Sequence, residues 1–130
     1  MKILGIGVDV IENKRIEKSI KKQAFKKRIY TSRELKQSEK IKNKVAYFSK
    51  RFAAKEAFSK ALGTGFRINL NFKDIEVVND KMGRPYYVNN KKITKLIQEK
   101  FKIKKFECFL SISDENKYST AFTIIQSPWN

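Results

Sequence analysis

The sequence predicts a single α+β domain in which an antiparallel sheet packs against one long central helix, and three observations carry that expectation. The chain opens on an apolar stretch interrupted by glycines, Ile3-Leu4-Gly5-Ile6-Gly7-Val8-Asp9-Val10. Its middle, residues 43–63, holds apolar side chains at positions spread almost all the way round a helix. Its second half alternates short β-rich segments with polar turns. A chain of 130 residues suits one domain, which at that size buries roughly two-thirds of its unfolded surface without covalent staples.

In the opening segment, Ile3, Leu4, Ile6, Val8 and Val10 read as a buried strand, and Gly5 and Gly7 imply that another backbone or a ligand comes close. Asp9 falls near its end. Over residues 13–27, Ile16, Ile20 and Ala24 recur at helical spacing, predicting one helix with Arg15, Lys18, Lys22 and Lys26 on the opposite face. Thr31-x-x-Glu34 has the form of a capping box opening a short helix. The long helix starts near Asn43 and ends at Gly63, where a glycine can take the left-handed conformation of a C-cap. Strands are expected at 75–78, 86–88, 106–112 and 118–125, with hairpin turns at 79–83 and 114–116. Between the two hairpins, Ile93, Leu96, Ile97 and Phe101 mark one more amphipathic helix.

Composition narrows the function. Histidine is absent, which excludes histidine acid–base chemistry and histidine metal ligands. The single cysteine, Cys108, sits in an apolar stretch, so it reads as core packing, no intrachain disulfide is possible and a reducing compartment is expected. Residues 1–12 lack a secretory leader and no stretch approaches the roughly 20 apolar residues of a spanning helix, so a cytoplasmic, membrane-free protein is expected. The net charge of +17 calls for an anionic partner or reflects solvated surface lysine. Taken alone it suggests a non-catalytic RNA- or DNA-binding module, with ten Phe and five Tyr available to stack on bases. Against that, 24 of the 30 basic residues are Lys and 6 are Arg, a diffuse field better suited to an acidic protein than to base recognition.

The run Arg51-Phe52-Ala53-Ala54-Lys55-Glu56-Ala57-Phe58-Ser59-Lys60 places a carboxylate and an amine four residues apart, on one face of a helix otherwise largely apolar. Asp9 is a second carboxylate in an apolar setting. Such a pair is what a hard divalent cation compensates, and two oxygen donors suit Mg²⁺, which keeps waters and shares substrate phosphates. The plainer readings stay open: Asp9 as the cap of the next helix, and Glu56 paired with Lys60 along the helix.

With Gly5-Ile6-Gly7-Val8-Asp9-Val10-Ile11-Glu12, this run closely resembles the holo-acyl-carrier-protein synthases, the small single-domain branch of the phosphopantetheinyl transferases. The likeness extends to Gly83-Arg84-Pro85 and Ser111-Ile112-Ser113-Asp114, nearly the whole chain. It implies a phosphopantetheinyl transferase-like fold and transfer of the phosphopantetheine arm of coenzyme A to a serine of an apo acyl carrier protein, serving fatty acid biosynthesis. It also implies that Asp9 and Glu56 bind Mg²⁺, that Lys60 offsets phosphate charge or moves a proton, and that Gly63, Thr64, Gly65, Arg84 and Pro85 lie near the coenzyme. Arg15, Lys18, Lys22 and Lys26, with Phe25 as anchor, resemble the helix on which the family docks its acidic carrier protein; a solvated basic face is the alternative. The small family members are homotrimers with active sites between subunits. One departure concerns Asp114, where several members carry His; a turn role is expected for it here.

Overall fold

The computed structural model describes residues 1–67 and 69–128. Along the chain run β1 (Lys2–Glu12), α1 (Asn13–Ser19), α2 (Gln23–Ile29), α3 (Ser32–Ser38), α4 (Lys44–Leu62), a 3-10 turn (Phe72–Asp74), β2 (Val77–Asn79), β3 (Pro85–Tyr87), α5 (Lys91–Phe101), β4 (Glu107–Asp114) and β5 (Tyr118–Ser127). An antiparallel sheet of order β1-β5-β4 lies against α4, and β2 pairs with β3 in a separate hairpin.

Gly5 and Gly7 set the distance between sheet and helix. A Cβ on Gly5 would stand 1.8 Å from the Ala61 carbonyl oxygen, and one on Gly7 would stand 1.9 Å from that of Ala57. The approaching backbone anticipated from the sequence is therefore α4 itself. Asp9 and Ile11 share that inner face with Gly7, because alternate strand residues point the same way. It follows that Ile6, Val8 and Val10 point outward, and each is more than half exposed. This corrects the expectation of a strand buried on both sides: in a single chain the glycine face is the covered one. By register, Ile6 lies beside Ile124 and Val8 beside Phe122, while Phe109 flanks Ile124 from β4. The sheet thus carries an uncovered apolar face.

Helix α4 begins where expected, with Asn43 Oδ1 accepting from Ala46 N at 3.0 Å, and ends on Gly63 at φ 85°. Phe48, Ala53, Ala54, Ala57, Phe58, Ala61 and Leu62 are all buried, so α4 is packed on nearly every side. The expected helix over 13–27 is instead two, α1 and α2, broken at Ile20 to Lys22. Geometry supplies the reason. In one straight helix Ile16 and Ile29 would point about 140° apart, whereas both are needed in the core. The break re-aims the second segment. Both capping-box bonds of Thr31 and Glu34 are present at the start of α3, and Asp80 closes the β2–β3 turn by accepting from Met82 N and Arg84 N.

Candidate active site

Asp9 on β1 and Glu56 and Lys60 on α4 meet where the glycines bring strand and helix together. The Lys60 ammonium lies 3.1 Å from Asp9 Oδ1 and 3.0 Å from the Val8 carbonyl oxygen. Lys60 therefore reaches across to the strand, and the intrahelical pair with Glu56 does not form. Nor does Asp9 cap a helix: α1 is preceded by Glu12. Burial pushes the Glu56 carboxyl above the ordinary carboxylate range, and the negative charge of Asp9 pushes it further, against the opposing pull of Lys60 and Arg15. Burial likewise raises Asp9, countered by its hydrogen bond from Lys60 and by the charges of Lys60 and Arg15. Arg15 thus belongs electrostatically to this site as well as to the basic face.

Two half-buried carboxylates whose pKa values stay raised despite Lys60 and Arg15 form a set of oxygen donors that further positive charge would stabilise. Among the described residues no third Asp, Glu, Cys or His joins them. A cation here would complete its shell with water and ligand oxygens, which is the habit of Mg²⁺. The residues present fit that ion.

Past the end of α4, Gly65 N donates to the Ser59 carbonyl, and Gly65 also takes a left-handed φ of 61°. The glycines are explained as a helix stop. Lys100 of α5 approaches the same point: a Cβ on Gly63 would meet its Cε and Nζ at 3.7 Å. Its ammonium thereby stands at the negative end of the α4 dipole. Gly83 and Pro85 border a different feature, an open cavity of about 770 Å³ with Lys40, Tyr47, Lys50, Arg51, Asn79 and Asp114. Asp114 is not merely a turn residue; it ends β4 and its carboxylate faces Lys50 at 3.9 Å. Where α1 meets α2, Lys18, Lys22, Phe25 and Arg28 line another hollow, of about 540 Å³. Lys26 turns away from it, over the Phe48 ring at 5.6 Å.

The profile of the 4'-phosphopantetheinyl transferase superfamily matches residues 5–123. The chain belongs to that family. It is 61% identical over 126 residues to a holo-[acyl-carrier-protein] synthase of Pelagibacter ubique, covering 97% of this chain and 98% of that one. A holo-[acyl-carrier-protein] synthase of Fusobacterium nucleatum is 45% identical over 95% of this chain and 98% of its own. Among solved structures, the holo-(acyl-carrier-protein) synthase of Bacillus anthracis in complex with CoA (3',5'-ADP) superposes with a TM-score of 0.81 at 35% identity, covering 98% of this chain and 99% of that one. The synthase of Neisseria meningitidis gives 0.85 at 38% identity, over 96% and 99%.

As a phosphopantetheinyl transferase the chain needs no base-stacking surface. Phe48 and Phe58 are buried, and Phe25, Phe52, Phe72 and Phe66 stack on one another. These six Phe are therefore taken up in packing, which withdraws most of the aromatic support of the nucleic-acid alternative. No helix among the described residues is long and apolar enough to cross a membrane. Cys108 is partly buried and packs against the core, and burial pushes its thiol up to about 12. Sequence reasoning passed over two charged residues of the motif helix. Arg51 is buried, lies 3.9 Å from the centre of the Tyr47 ring, and donates to Asn79 Oδ1 at 2.7 Å. Lys55 is buried completely against Glu34. The signal for both was present, since charges on an all-round apolar helix require partners elsewhere in the fold.

Proposed function

We propose that this transferase moves the 4'-phosphopantetheine arm of coenzyme A onto a serine of an acidic apo acyl carrier protein, releasing adenosine 3',5'-bisphosphate, in support of fatty acid biosynthesis. The observation that carries the reading is the convergence of Asp9, Glu56, Lys60 and Arg15 on the glycine-made contact between β1 and α4. The serine hydroxyl oxygen forms a bond to the pantetheine-bearing phosphorus, the pyrophosphate P–O bond breaks, and the serine proton passes to a base. Asp9 and Glu56 are the residues that would hold Mg²⁺. When bound, that ion supplies positive charge to the pyrophosphate and to the leaving phosphate. Lys60, half exposed at the rim, presents its ammonium to phosphate oxygens. Glu56 is the side chain that would take the serine proton, and Lys60 could do so only as a free amine, since an ammonium has no lone pair to accept it.

Metal binding has a thermal signature. A carboxylate raised in the folded state binds more protons there, so its contribution to stability falls as pH rises from the ordinary carboxylate range through the raised value. Above that window the metal-free protein carries the full repulsion of Asp9 and Glu56. Mg²⁺ should therefore raise the melting temperature at neutral pH, and raise it little at a pH where both are protonated; a melt in chelator against a melt in Mg²⁺ checks this.

Assembly is part of the same proposal. Pro85 borders a cavity that Asp9, Glu56 and Lys60 do not line, and an active site shared between two copies would let one coenzyme reach both sets. The exposed Ile6, Val8, Val10, Phe109 and Phe122 offer the apolar face that a homotrimer would bury. Light scattering should give three times the 15.3 kDa chain mass, and Val8→Asp should return one. The mouth formed by Lys18, Lys22, Phe25 and Arg28, with Arg15 nearer the carboxylates, is the docking surface for the carrier protein. Phe25→Ala should raise the carrier KM about 10-fold and leave the coenzyme KM unchanged, as expected for an anchor in the partner contact. A cytoplasmic location accords with the unpaired Cys108 and with that partner.

A further inference from the structure

Lys55 stands one residue before Glu56, and the 100° step between successive helical residues sends the two side chains apart. Glu56 faces β1. Lys55 enters the packed space between α4, α2, α3 and the 3-10 turn, where its ammonium is fully buried. There it donates to Glu34 Oε1 at 2.7 Å, to the Ile75 carbonyl at 2.7 Å, to that of Ile29 at 2.9 Å and to that of Phe72 at 3.1 Å. Three N–H bonds serve four acceptors. Glu34 is equally buried and its remaining capacity is used: Oε1 also accepts from Thr31 N at 2.9 Å, and Oε2 from Val77 N at 2.8 Å.

No atom of this pair is open to a substrate, so neither residue does chemistry. What the pair does is gather the end of α2, the start of α3, both ends of the 3-10 turn and the first residue of β2 onto one point of α4. Above it runs a second link between the same segments. Phe25 of α2 stacks on Phe52 of α4 at 6.2 Å, Phe52 on Phe72 at 5.4 Å, and Phe72 on Phe66 at 3.8 Å. The ion pair and the aromatic stack therefore connect the helix bearing Phe25 with the helix bearing Glu56.

We propose that Lys55 and Glu34 form a positioning pair, which fixes α2 and residues 72–77 on α4 so that the serine of a carrier protein docked at Phe25 arrives at the carboxylates. The proposal rests on the transfer reading above. A helical side-chain tip lies about 5–6 Å from the axis, so a rotation of about 10° moves it by about 1 Å, and an error of that size costs about 100-fold in rate.

The test is Lys55→Met in the full chain, checked for fold by circular dichroism and followed by kinetics with each substrate varied and by hydrogen exchange. The coenzyme KM stays within about twofold, while kcat/KM for the carrier protein falls about 30-fold or more. Exchange quickens in residues 23–37 and 71–77 and is unchanged in β1, β4 and β5. Should that variant fail to fold, Thr31→Ala takes its place: it removes the hydroxyl that accepts from Glu34 N and donates to Glu76 Oε2, leaving Lys55 paired with Glu34 and Glu76 facing Arg33. It should lower the same carrier parameter about threefold to tenfold. Unchanged carrier kinetics in a folded variant, or equal losses with both substrates, would overturn the positioning role. A native chain that modifies no carrier protein would sink the transfer reading by itself, and with the positioning role then judged on exchange alone, unchanged protection in 23–37 and 71–77 would overturn it.

Discussion

Glu56→Gln loses at least about 100-fold in turnover, the scale on which removal of one transition-state charge stabiliser is felt, and yet gains stability in chelator. The two effects have one cause. Burial and the charge of Asp9 raise the Glu56 carboxyl, the charges of Lys60 and Arg15 lower it, and among the described residues no hydrogen bond holds it. A residue that is half-buried, repelled by a neighbour and bonded to nothing is a cost to the metal-free fold. Its amide keeps the shape and removes the repulsion. The melting temperature in chelator should therefore rise, and the Mg²⁺-dependent rise should disappear. Loss of fold together with activity would mean that Glu56 is structural; near-native turnover would mean that the metal assignment is wrong.

Gly7→Ala is the second large effect, and it acts on the scaffold. The new methyl would stand 1.9 Å from the Ala57 carbonyl oxygen and 2.6 Å from the Ala61 nitrogen. Both are backbone atoms of a helix packed on nearly every side, so neither can swing away. The helix must retreat from the strand, which costs about 3 kcal/mol or more, at the upper end of overpacking penalties. In a chain of this size that lowers the melting temperature by ~10 °C or more. Because the same contact brings Asp9 to Glu56, any folded fraction should bind Mg²⁺ weakly. A thermal melt and a Mg²⁺ titration of the variant check both. Gly63→Ala contrasts with it: space is available there, and only the left-handed φ opposes a side chain, so a cost near about 1 kcal/mol is expected.

Gly5 and Gly7 also show how far the sequence could be read. Their spacing within an apolar strand announced a close approach, and the limits of α4 were legible because Asn43 and Gly63 are strong local signals. The capping box at Thr31 was legible for the same reason. What local pattern could not supply was direction. Ile6, Val8 and Val10 have the composition of a buried strand, and only the glycine-made contact reveals that they face outward. The break between α1 and α2 carries no Gly or Pro; it arises because Ile16 and Ile29 must reach one core. Asp9 and Glu56 could be named as candidates from their apolar settings, but that Lys60 bonds Asp9 and not Glu56 depends on where β1 lies. Lys55 was hidden by its company, one more lysine in a chain with 24, until its partners on three other segments came into view.

The central claim is tested most directly by the intact mass of an apo acyl carrier protein after incubation with this chain, coenzyme A and Mg²⁺, beside a reaction containing chelator. A gain of one phosphopantetheine arm in the first and none in the second is the predicted result. An unchanged mass across several apo carrier proteins, with the chain folded and Mg²⁺ present, would contradict the account.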